Sequence, residues 1–87
     1  MLGGAESLTP NVMRIVRKAT FKRLRQIRED LGLEVADIAA KLGGKPSIAS
    51  IYRLEQGQAI RVAHARRVFD AVNGNGKLKA DKELADE

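Results

Sequence analysis

The stretch LRQIREDLGLEVADIAAKLGGKPSIASIYRLEQG, residues 24–57, decides the fold. Three apolar patterns at helical spacing run through it, separated by two glycine turns. The first begins just ahead of the stretch with Phe21 and continues through Leu24, Ile27 and Leu31 on one face. Gly32 ends it, because glycine adopts positive φ at little cost. The second, over residues 34–42, carries Val35, Ile38, Ala39 and Leu42 on one face. Its acids lie in the first turn and Lys41 in the last, the polarity that complements a helix dipole. Gly43-Gly44-Lys45-Pro46 then breaks the pattern. Ser47 stands as an N-cap for the third helix, which turns Ile51 and Leu54 inward and stops at Gly57.

Working outward, Thr9-Pro10 opens a helix upstream, since a threonine hydroxyl caps free N–H groups and proline is tolerated at the first helical position. Val12, Ile15, Val16 and Ala19 follow at helical spacing. The pattern fits one helix over residues 10–31 or two, with a break near Thr20 and that residue as a cap. Downstream, residues 61–72 place Val62, Ala65, Val68, Phe69 and Val72 on an inner stripe, and Asn73-Gly74-Asn75-Gly76 ends it. Residues 1–8 read as a flexible arm, residues 9–73 as one domain, and the Lys/Asp/Glu-rich residues 74–87 as a disordered tail. The expected architecture is all-α: four or five short helices around one aliphatic core.

Composition agrees with this and narrows the chemistry. An 87-residue chain makes one domain. Phe21, Tyr52 and Phe69 are its only aromatics, which favours helices over a sheet. The absence of cysteine excludes a disulfide scaffold and a Cys-based zinc site and fits a reducing cytoplasm. His64 alone cannot make a metal site, and no cofactor is expected. No apolar run reaches the roughly 20 residues of a membrane span, and residues 1–8 lack the pattern of a signal peptide. A soluble, cytoplasmic protein is therefore expected. The formal charge is +5, and residues 1–30 carry seven Lys or Arg against three acids. An excess of this kind suits a polyanionic partner.

A DNA major groove about 12 Å wide admits one α-helix, so a reading module needs a short helix braced by another that crosses the phosphate backbone. Residues 34–42 and 47–56 are proportioned for those two jobs. Leu24-Arg25-Gln26-Ile27-Arg28-Glu29-Asp30-Leu31-Gly32-Leu33, then Ile38-Ala39-Ala40-Lys41-Leu42-Gly43, then Ile51-Tyr52-Arg53-Leu54-Glu55-Gln56-Gly57 together resemble the Xre family. This is the lambda repressor-like DNA-binding domain of Cro and phage repressors, and the likeness covers roughly residues 21–73. It implies a helical bundle with a helix-turn-helix at about residues 34–56, its third helix in the major groove, bound as a dimer to a two-fold operator. Ala39 matches the position where the two helices touch most closely. Ile51, Glu55 and Gly57 match the family's Ile-x-x-x-Glu-x-Gly ending, in which the Glu has a structural role.

The sequence departs from that pattern in three places. Glu34-Val35 stands where the family often has Ser-Gln or Thr-Gln, which removes a usual phosphate-contacting glutamine. The turn Gly43-Gly44-Lys45-Pro46 is about two residues longer than the common form, and the loop after Gly57 is shorter and lacks the usual proline.

With Ile51 and Leu54 in the core, Ser47, Ile48, Ala49, Ser50, Tyr52 and Arg53 are left to face outward. Arg53 can donate two parallel bonds to a guanine edge or a phosphate, or pair with Glu55. Ser47 and Ser50 can bond phosphates or bases, and Ser47 can simply cap. Ile48 and Ala49 can meet a thymine methyl or complete the core, and Tyr52 can reach a phosphate or pack. Lys41 and Lys45 can neutralise backbone phosphates. Arg14, Lys18 and Lys22 share a face with Arg25 if the helix is continuous, and can flank the operator. His64 reads as a helix-surface residue. No nucleophile elbow, phosphate loop or metal-ligand spacing occurs, so an enzyme is not expected.

The expected function is sequence-specific binding of double-stranded DNA as a transcriptional regulator, and more specifically a repressor in a bacterial cytoplasm and nucleoid. Two alternatives stand beside it. One is the DNA-binding antitoxin of a toxin–antitoxin pair, with the tail from Gly74 bound to the toxin. The other is a protein-interaction module on the same fold that uses Ile48, Ala49 and Tyr52.

Overall fold

A computed structural model describes residues 17–86. The elements run β1 (Lys18–Phe21), α1 (Leu24–Asp30), α2 (Val35–Lys41), α3 (Ile48–Glu55), β2 (Ile60–Arg61), α4 (Val62–Val72), α5 (Ala80–Glu83) and β3 (Leu84–Asp86). The strands form one antiparallel sheet in the order β2-β1-β3. The chain is thus an α+β domain, and the all-α expectation is corrected. The first expected helix, with Arg14, Val12, Ile15 and Val16, and the arm of residues 1–8 lie outside the described residues.

The sheet arises where a helix was expected. In Lys18-Ala19-Thr20-Phe21 only Lys18 is exposed: Ala19 and Phe21 are fully buried and Thr20 is buried between them, and threonine and phenylalanine favour an extended backbone. Thr20 caps no helix, and its hydroxyl donates to the Ala85 carbonyl at 3.4 Å. β1 pairs with β2 through Lys18 opposite Arg61 and Ala19 opposite Ile60. On its other edge Phe21 faces Leu84, Thr20 faces Ala85 and Ala19 faces Asp86.

The tail from Gly74, expected to be disordered, therefore supplies α5 and an edge strand. Apolar residues are few there, and ion pairs assist the ladder. Arg17 pairs with Asp86, and Arg23 grips Glu83 with two of its guanidinium nitrogens, the Nε bond measuring 3.0 Å. The Asn73 side chain closes the connecting loop by accepting from the Leu78 N–H at 2.9 Å.

The helices follow the apolar patterns closely. Leu24, Ile38, Ile51, Leu54 and Val68 are fully buried with Phe21, and the Phe21 and Phe69 rings meet at 6.0 Å in a tilted contact, within the range aromatic pairs favour. Leu31 departs from its pattern: α1 ends at Asp30, and the side chain is 46% exposed. Each large apolar side chain buried contributes about 1.5–3 kcal/mol, which is why α4, with Ala65, Val68, Phe69 and Val72 buried, packs across the sheet and α2.

Two arginines fix the angles between helices. Arg28 at the end of α1 forms a two-pronged ion pair with Glu55 at the end of α3, one bond measuring 3.1 Å, and donates to the Leu33 carbonyl at 2.9 Å. Arg67 of α4 donates to the Leu42 and Lys45 carbonyls at 3.0 and 2.8 Å, tying α4 to the turn that follows α2. Between them the chain turns through Gly43 and Gly44, both at positive φ (67° and 84°), a backbone that costs residues with a Cβ more than glycine.

Candidate nucleic-acid interface

α3 is short because its ends are fixed. At its start the Ser47 hydroxyl accepts from the Ser50 N–H at 3.3 Å, so of the two readings of Ser47 it is the cap that the side chain fulfils. Past its last turn, Gly57 takes a φ of 86°. Ile51 and Leu54 lock the inner side into the core, and Glu55 is held by Arg28. Hydrogen bonding to that carboxylate raises the Arg28 pKa, against the opposing effect of burial.

The outer side divides in two. Residues four apart are neighbours on a helix, and Ile48 and Tyr52 form an apolar ridge, 44% and 50% exposed. Ala49, exposed, lies beside them. Ile48 and Ala49 do not complete the core. On the other side Ser50 and Arg53, three apart, border a shallow cleft of about 290 Å³ whose further walls are Lys18 of β1, Arg61 of β2 and His64 of α4. No carboxylate lines it. Arg53 makes no ion pair among the described residues, and Glu55, its expected competitor, belongs to Arg28.

The remaining expected cations do not converge there. Lys41 lines a separate groove with Arg67 and Asp70. Lys45 is exposed in the turn ahead of α3, and Lys22 is exposed in the turn after β1. Arg14 lies outside the described residues, and the continuous helix that would carry Lys18, Lys22 and Arg25 on one face does not form, because Lys18 sits in a strand. The neighbouring arginines are instead engaged internally: Arg17 with Asp86, Arg23 with Glu83, Arg25 with Glu29 at 3.2 Å, and Arg28 with Glu55.

Arg61 and His64 were missed by the sequence reading as members of the site. The cleft is assembled from four elements, and the signal for β2 is a two-residue strand. The start of α2, by contrast, is acidic: Glu34 is exposed, and Asp37 accepts from the Glu34 N–H at 2.8 Å. Two carboxylates therefore occupy the helix end that would otherwise receive an anion.

Among the described residues there is no group of acids and histidine able to hold a metal, and no helix is long and apolar enough to cross a membrane. The chain matches no protein-family model, no curated protein and no solved structure.

Proposed function

We propose that this chain is a double-stranded DNA-binding module of the helix-turn-helix class, with α2 as the bracing helix and α3 as the helix that enters the major groove. Within that class we assign it the role of a sequence-specific transcriptional regulator, a repressor that acts by occupying its site, as a pair of copies on a two-fold operator in a bacterial cytoplasm. The observation that carries the reading is the outer side of α3. Its inner residues are immobilised by the core and by Arg28–Glu55, while Ile48, Ala49 and Tyr52 stand exposed and Arg53 borders a cleft that holds Lys18 and Arg61 and no carboxylate. The Xre-like residue pattern over residues 21–73 supports the same assignment.

A second reading draws on the exposed Ile48–Tyr52 ridge, which suits a protein partner as well as thymine methyl groups. The antitoxin reading has less support, because the tail it needs for a toxin is occupied in pairing with β1.

Selection of bound duplexes from a random pool tests the proposal. Enrichment of a motif with two related halves, with affinity falling steeply as salt rises, is the expected result. Absence of enrichment together with salt-independent retention would refute it and favour the protein partner.

A further inference from the structure

Arg17 and Arg23, beside the sheet, are paired with carboxylates, yet Lys18 and Arg61 stand directly opposite each other as partners across β1 and β2. Opposed residues in an antiparallel pair project to the same face, and like charges placed so destabilise the ladder. The same two side chains border the cleft with Arg53, His64 and Ser50, and no acid lines it to offset them. An arrangement that costs the free protein stability is favourable once an anion lies between the cations. The cleft is partly open to solvent beside α3, so it suits a chain of anions lying across it better than a small molecule held inside.

We infer that this cleft seats the sugar–phosphate backbone of the DNA, with Lys18 and Arg61 flanking phosphate oxygens and Arg53 and Ser50 donating to them. The inference rests on the DNA-binding reading above and goes further by dividing the labour on α3. Arg53 anchors the backbone, and sequence is read by Ile48, Ala49 and Tyr52. The acidic start of α2, with Glu34 and Asp37, leaves this flank as the anchoring one.

The test measures binding of the full chain and of Lys18→Gln, Arg61→Gln and Arg53→Gln to two duplexes of equal length and composition, one selected and one scrambled, over a range of salt concentrations. Each substitution should lower the log–log salt slope by about 0.9 on both duplexes and leave their affinity ratio unchanged. Lys18→Gln should also hold or raise the Tm of the free protein, since it removes a like-charge opposition. Slopes equal to that of the parent chain, or a ratio that collapses with Arg53→Gln, would overturn the assignment while leaving DNA binding intact. A reduced Tm with an unchanged slope would give these side chains a structural role and overturn it equally. If the parent chain binds neither duplex, the DNA-binding reading itself fails.

Discussion

The two sides of α3 share one backbone, one cap and one buried floor, yet they are built for different contacts. Ile48 and Tyr52 expose apolar surface that electrostatics hardly affects. Ser50 and Arg53 border a cleft completed by Lys18, Arg61 and His64 from three other elements. The ridge is local, made by spacing along one helix. The cleft is tertiary and exists only because β1 and β2 pair beside that helix. Under the DNA-binding function proposed above, this difference would separate reading from anchoring on one short helix: shape and methyl contacts discriminate bases, and charge supplies affinity that is indifferent to sequence.

The largest effect expected is loss of both sides together. Glu55→Ala strips Arg28 of its partner at a site where the two side chains are only 13% and 6% exposed, and removing one member of such a pair costs on the order of 3 kcal/mol. Chemical denaturation should report it, and a loss below about 1 kcal/mol would mean that the apolar core alone holds α3.

Next comes the anchoring side alone. Arg53→Ala should weaken selected and scrambled duplexes alike by roughly 1.5 kcal/mol, the worth of a charge-assisted bond, as measured by anisotropy titration. A loss confined to the selected duplex would move Arg53 to the reading side.

A smaller effect isolates the ridge. Replacing thymine by deoxyuridine under α3 removes a methyl group worth about 0.8 kcal/mol, roughly a fourfold loss on the selected duplex, with the salt slope unchanged. Equal binding of both duplexes would remove thymine contact from the account.

The smallest concerns the frame behind the cleft. Glu83 has its pKa lowered, chiefly by the hydrogen bond from Arg23 and against the opposing effect of burial. A carboxylate depressed in the folded state adds stability above its unfolded pKa and loses it as pH falls through the folded value. Hydrogen-exchange protection of the β3 amides should therefore fall as the solution is acidified below about pH 4.5, with Glu83→Gln showing the weaker protection at neutral pH.

Much of this was legible in the sequence where the signal is local. Val35, Ile38 and Ala39, Ile51 and Leu54, and Ala65, Val68, Phe69 and Val72 repeat at helical spacing, and α2, α3 and α4 follow within a residue or two of the expected bounds. The outward residues of α3 followed by subtraction. The sheet was not legible. Its strands are four, two and three residues long, too short for alternation to stand apart from helical spacing, and their partners are distant along the chain. Ala19 and Phe21 satisfy either pattern, and only pairing with Ile60 and Leu84 settles them. The tail's composition argued for disorder because few of its side chains are apolar, yet Leu78, Ala80 and Leu84 pack against the core, and the ladder and the two arginine pairs add to that. The basic run misled for a related reason: Arg17, Arg23, Arg25 and Arg28 count as free charge in a sequence, whereas the fold gives each a carboxylate. Lys18 mattered through its strand, opposite Arg61, and not through a helical face.

The most direct measurement is an amide-shift titration of the isotope-labelled chain with a selected duplex. The account predicts that the perturbed amides cluster at residues 47–53 together with Lys18, Arg61 and His64, while those of residues 34–37 and of the groove around Lys41 and Asp70 stay put. Shifts centred on residues 34–37, or confined to the Ile48–Tyr52 ridge with the cleft silent, would contradict it.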